Sequence, residues 1–174
     1  MDTPLSGRWI VVGIDNSAGS RAAAAWAVED GRMRGCNIEA VFACPAPNIY
    51  PSMYYSAPTF ALPTPEEVLA DGRRVLASVF AEGFPSDVGV YLSAVQARPA
   101  EALRSAITCP DTHLLVVGRR SRAGVTGLHL GSVSHALTHN LLKPLVIVPT
   151  PPPSTPDQVK REYLLPHDTG QGPH

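Results

Sequence analysis

The residues with the most chemical promise lie between Leu114 and Pro149, in LLVVGRRSRAGVTGLHLGSVSHALTHNLLKPLVIVP. Gly118, Gly124, Gly127 and Gly131 punctuate a segment that follows an apolar run, and Ser132, Val133 and Ser134 come directly after the last glycine. Glycines let backbone N–H groups approach an anion closely, and the first turn of a helix has unpaired N–H groups at the positive end of its dipole. Hydroxyls at Ser132 and Ser134 add donors there. The chemistry this points to is the holding of phosphate. It is not that of a P-loop, because Gly131 has no lysine beside it and GxxxxGK[ST] occurs nowhere in the chain. The GxGxxG dinucleotide fingerprint is absent too.

A loop of this kind needs a strand before it and a helix after it, and the chain supplies that alternation. Strands are expected over Arg8–Ile14, Ile38–Cys44, Val88–Val95, Leu114–Val117 and Leu145–Val148. Helices are expected over Ser20–Arg34, Pro65–Gly83, Pro99–Thr108 and Gly131–Leu142. Gly35 is placed to cap the first, while Pro65, Glu66 and Glu67 suit the start of the second. Near-continuous Val/Ile/Leu strands alternating with helices imply an α/β fold: an open, doubly wound parallel sheet with helices on both faces. In such sheets ligands bind beyond the carboxyl ends of the strands, where strand order reverses. That crevice falls between the ends of the first and fourth strands. Gly13, Ile14 and Asp15 stand at one side and the glycine loop at the other. Alone, Asp15 within DNSAGS reads as a turn former or helix cap. Paired with the loop, it reads as a carboxylate facing a ribose or a base.

The spacing Gly118-x2-Ser121-x9-Gly131-Ser132 resembles the Gly-x2-Gly-x9-Gly-Ser/Thr loop of the universal stress protein family, with Ser121 in place of the second glycine. IVVGIDNSAGSRAAAAWAVEDGRMRG, QARPAEALRSAI and KPLVIVP are similar to the family's opening strand and helix, its segment before the fourth strand, and its close. The resemblance covers roughly residues 8 to 149. It implies five parallel strands in a Rossmann-like, adenine nucleotide alpha hydrolase-like fold, usually dimeric, with one branch that binds ATP and another that does not. By position, Gly13, Ile14 and Asp15 would contact adenosine and Ala43 would lie near the adenine. Val117 and Gly118 would line the pocket, and Gly131, Ser132, Val133 and Ser134 would take the phosphates of ATP, with Mg²⁺ as its companion. At Ser121 a Cβ costs about 1 kcal/mol if the backbone there needs positive φ, although its hydroxyl can itself donate to phosphate.

Composition narrows the other possibilities. The chain has 174 residues, is 44% apolar and carries a net charge of −1, which suits one globular domain. Near-zero charge gives no electrostatic reason for nucleic acid or an anionic membrane as partner. No apolar run approaches the ~20 residues that span a bilayer. Three scattered cysteines (Cys36, Cys44, Cys109) and an opening without a signal-peptide pattern point to reduced thiols and a cytoplasmic setting. The expected organisation is a domain over 1–149 followed by a proline-rich, flexible extension over 150–174.

Residues 45–64, rich in proline and tyrosine, read as a surface excursion or a flap over the sheet's carboxyl edge. His135 and His139 share a helix face but have no third metal ligand nearby in sequence. Arg119, Arg120 and Arg122 read as solvated loop charges or phosphate partners. No GxSxG elbow and no cysteine with a base supports nucleophilic catalysis. The expectation is a stress-response regulatory module that binds ATP or a related adenine nucleotide, not an enzyme beyond slow incidental hydrolysis. It would form a homodimer through its last strand, whose apolar edge needs cover. The alternatives are a member without nucleotide that acts through dimerisation, and a slow ATP-hydrolysing enzyme.

Overall fold

In this computed structural model the described residues are 7–44, 63–81, 87–119, 131–139 and 141–150. They form β1 (Trp9–Ile14), α1 (Ala18–Arg34), β2 (Asn37–Cys44), α2 (Pro65–Phe80), β3 (Val90–Gln96), α3 (Pro99–Ala106), β4 (Thr112–Gly118), α4 (Ser132–Thr138) and β5 (Leu145–Val148). The five strands lie in one sheet in the order β3-β2-β1-β4-β5, and every pairing is parallel. The expected doubly wound sheet is therefore present. Strand order reverses between β1 and β4, where Gly13 pairs with Val41 on one side and Val117 on the other.

Both faces of the sheet are buried, which explains why the strands read as unbroken apolar runs rather than alternating ones. Ile10, Val12 and Ile14 pack with Ala23, Ala24, Ala27, Val28 and Leu76 beneath α1 and α2. Val11, Val41, Leu115 and Val117 pack with Leu103, Ile107 and Leu137 beneath α3 and α4. Leu76 and Leu137 are fully buried, so each face has an anchor from its own helix layer.

Helix boundaries follow local hydrogen-bond chemistry. α1 begins ahead of Ser20 because Ser17 caps it, its hydroxyl accepting from the Ser20 N–H at 3.2 Å. α2 begins with a capping box formed by Thr64 and Glu67. The Thr64 hydroxyl accepts from the Glu67 N–H, and the Glu67 carboxylate accepts from the Thr64 N–H. It ends at Phe80, short of the expected Gly83, which lies outside the described residues. α4 stops at Thr138 rather than running to Leu142, and His139 is already extended. The Thr138 hydroxyl donates to the His135 carbonyl at 2.7 Å, giving a last-turn acceptor a partner without further helix.

Two glycines are required by close backbone approach. A Cβ on Gly118 would overlap the Gly19 carbonyl group and sit 2.6 Å from the Ser20 nitrogen. A Cβ on Gly19 would overlap the Arg119 carbonyl oxygen. The start of α1 thus rests directly on the end of β4, backbone on backbone. Gly118→Ala should lower unfolding stability in urea by about 3 kcal/mol, at the upper end of ordinary overpacking because backbone must move. Gly35→Ala should cost only about 1 kcal/mol: Gly35 has φ of 63° but open space around it. Equal losses at the two positions would contradict this reading.

Candidate functional site

The crevice at the reversal point is built from strand ends inward. Gly13 lets α3 pack closely on the sheet: a Cβ there would stand 3.0 Å from one Leu103 methyl, 3.3 Å from the other and 3.5 Å from Val117. After Ile14 the chain turns sharply: Asn16 adopts a left-handed φ of 63° and accepts a hydrogen bond from Arg21 at 2.6 Å. Asp15 organises that turn. Its Oδ1 accepts from the Ser17 N–H at 3.1 Å and from the Ser17 hydroxyl at 2.5 Å. The same hydroxyl oxygen accepts from the Ser20 N–H. Asp15 is thus the turn former that its local sequence suggested, and it also stands on the crevice wall.

A cavity of about 110 Å³ opens here. Among the expected site residues, Gly13, Ile14, Asp15, Ala43, Val117, Gly118, Val133 and Ser134 line it. Gly131 and Ser132 stand at the start of α4 beside that lining rather than on it. Ser121 lies outside the described residues, as do Gly124, Gly127, Arg120, Arg122 and residues 45–62.

Ser20, Val41, Phe42, Pro99 and Leu103 also line the cavity and were not anticipated. Val41 and Phe42 follow from register, because they pair with Gly13 and Ile14. Pro99 and Leu103 follow from the crossover: α3 links edge strand β3 to β4 and must pass over β2 and β1 to do so.

The lining is largely apolar, and Asp15 is its only charged side chain among the described residues. That suits a flat apolar ring with a few polar edges better than an ion in the crevice itself. Ser134 is buried on the α4 side. No described group of three or more His, Cys, Asp or Glu residues could hold a metal ion. His135 and His139 do approach, with ring centroids 5.2 Å apart, but as a pair. Burial, and secondarily the charge of Asp71, push the Cys44 thiol up from its ordinary value, which keeps it a protonated core residue. Cys36 and Cys44 are buried and Cys109 exposed, all three unpaired.

A larger cavity, about 350 Å³, lies on the far side of α3, with Glu39, Ser93, Glu101 and Ser105 among its lining. Volume alone would favour it. Its lining lies on β2, β3 and α3, away from the strand-order reversal, and includes two carboxylates, Glu39 and Glu101, that disfavour an anionic ligand. The smaller crevice is the better candidate. Among the described residues no helix is long and apolar enough to cross a membrane.

Comparison with known proteins agrees with this geometry. The model of the universal stress protein family matches residues 8–149. Universal stress protein Rv1996 of Mycobacterium tuberculosis is 31% identical over 144 residues, covering 82% of this chain and 44% of that protein. The chain thus spans under half the length of that relative. Two solved structures share the fold. A universal stress protein family member from Burkholderia pseudomallei superposes with a TM-score of 0.57 at 21% identity, covering 81% of this chain and 95% of its own. A family member from Arabidopsis thaliana, solved with AMP bound, gives 0.55 at 16% identity, covering 87% and 94%.

Glu39 provides a check on the second cavity as described. Burial raises its carboxyl above the ordinary range, partly offset by a hydrogen bond from Ser93. It takes part in none of the three ion pairs among the described residues. A carboxyl whose folded pKa is raised binds its proton more tightly folded than unfolded, so stability falls as pH rises from the ordinary glutamate value through the raised one. Glu39→Gln should therefore raise Tm modestly at pH 7. The gain should vanish below the ordinary glutamate pKa. A gain that persists unchanged at pH 3.5 would overturn the assignment.

Proposed function

The chain belongs to the universal stress protein family, and we propose that it binds an adenine nucleotide, ATP in the first instance, in the crevice between the ends of β1 and β4. The observation that carries this reading is the lining itself: apolar walls with one carboxylate, at the point where strand order reverses. The AMP-bound Arabidopsis relative supports the same ligand class.

In this reading the adenine lies at the carboxyl end of β1 beside Gly13, between Val41 and Ala43 of β2 and Leu103 of α3. Asp15, held by its bonds to Ser17, accepts from the ribose hydroxyls. The phosphates extend toward Gly131, Ser132, Val133 and Ser134, where backbone N–H groups and hydroxyls can donate. A cavity of about 110 Å³ is small beside the 300–1,000 Å³ of drug-sized ligand pockets, so the described walls would enclose the base and leave the sugar and phosphates toward its open mouth. Mg²⁺ would travel with the phosphates, as it does where proteins supply few ligands of their own.

The sequence has no lysine of Walker type, and no paired nucleophile and base stand at the site among the described residues, which favours a role in binding and regulation, with hydrolysis slow and incidental. The protein would act in the cytoplasm as a stress-response module. It would do so as a homodimer: among the described residues β5 is a sheet edge, and its four apolar residues offer that edge to a second copy.

Equilibrium dialysis with ATP, AMP, adenosine and GTP tests the ligand class. With a Kd of about 10 µM, 1 mM ATP adds about 2.7 kcal/mol of stability, which raises Tm by roughly 5–10 °C in a domain of this size. Gly13→Ala should weaken ATP about tenfold, because the new methyl drives Leu103 toward the base. No binding of any adenine nucleotide at millimolar concentration would leave the dimer-only reading standing. Light scattering reads the dimer separately, and a strict monomer would exclude it.

A further inference from the structure

α4 is only seven residues long, too short to hold its shape unaided. Its first turn nevertheless forms one wall of the crevice through Val133 and Ser134. Its last turn is fixed from outside. The Arg104 guanidinium, on α3, donates through one terminal nitrogen to the Ala136 carbonyl. Ala136 is among the last four residues of α4, whose carbonyls lack ordinary partners within a helix. The Arg104 Nε is itself buried and without a hydrogen-bond partner among the described residues. A buried orphan donor is unfavourable, so the guanidinium is held there by the bond it makes and by its packing rather than by its own full satisfaction. Immediately before it in sequence, Leu103 lines the same crevice.

We propose that Arg104 is a positioning residue of the nucleotide site: by tying the end of α4 to α3, it sets where the first turn of α4 meets the phosphates. Resting on the adenine-nucleotide reading above, this assignment separates two parts of the ligand. The base and ribose lie against β1, β2 and Leu103, which are held by the sheet register and by the core beneath α3. The phosphates lie against α4, whose placement depends on Arg104. Arg104 therefore governs how much the phosphates add to affinity, and not whether the nucleoside is recognised. Arginine suits the task because its planar fork is pre-organised and always charged, whereas a lysine ammonium is a flexible point donor.

The test compares ATP and adenosine binding by calorimetry in the full chain and in Arg104→Met and Arg104→Lys. Amide ¹⁵N spectra are recorded for each protein without ligand. Arg104→Met should weaken ATP about tenfold, the scale of one lost charge-assisted hydrogen bond, and leave adenosine within about twofold. Arg104→Lys, which restores a donor, should recover part of the ATP loss. An equal weakening of both ligands, or no weakening of ATP, overturns the assignment. If Arg104→Met does not fold, the Arg104→Lys ratio of ATP to adenosine affinity decides by the same criterion. If the parent protein binds neither ligand, the nucleotide reading fails and the spectra alone judge the placement. Displaced Ser132, Val133 and Ser134 amides with unmoved Gly13 and Val41 amides uphold it, and unmoved Ser132–Ser134 amides overturn it.

Discussion

The start of α1 touches the end of β4 through backbone alone, at Gly19 against Gly118 and Arg119, with no room for a Cβ on either side. This contact fixes the architecture of the crevice. β1 and β4 are hydrogen-bonded neighbours, and α1 follows directly on β1. The glycine contact seats the start of α1 against the end of β4, and Gly13 and Gly118 both line the crevice beside it. Arg119 is held from a third direction: its N–H donates to the Val148 carbonyl at 2.8 Å, and its carbonyl accepts from the Thr150 hydroxyl at 3.0 Å. Three strand ends and one helix start therefore converge within a few residues.

The two helix layers play unequal parts. α1, with 17 residues, and α2, with 16, cover one face and bury most of the larger core. α3 and α4, with 8 and 7, cover the other face incompletely. Both cavities open on that thinner side, one on each flank of α3. Short helices bury less apolar surface and need partners at their ends, which is why Arg104 and Thr138 matter for α4 while α1 and α2 are capped by their own neighbours.

Much of this was legible from residue types. Continuous Val/Ile/Leu runs gave the buried parallel strands, and Pro65 and Pro99 marked helix starts. The crevice and eight of its lining residues followed from the strand reversal and the family resemblance together. What escaped the sequence was set by distant partners. Pro99 and Leu103 reach the crevice only because α3 crosses back over the sheet. Gly19 looks like an ordinary turn residue until Gly118 is set against it. The early end of α4 depends on a hydroxyl folding back and on an arginine from another helix, and neither leaves a periodic trace. Asp15 is the turn former that its local sequence suggests, and its bonds to Ser17 do not remove it from the crevice wall.

The central claim is that one crevice, at the reversal between β1 and β4, takes an adenine nucleotide. Amide ¹⁵N chemical shifts followed during titration with ATP test it most directly. The account predicts saturable shifts at Gly13, Ile14, Val41, Val117 and Gly118, spreading to Val133 and Ser134. Shifts confined to Glu39, Ser93 and Ser105 on the far side of α3, or none at all, would contradict it.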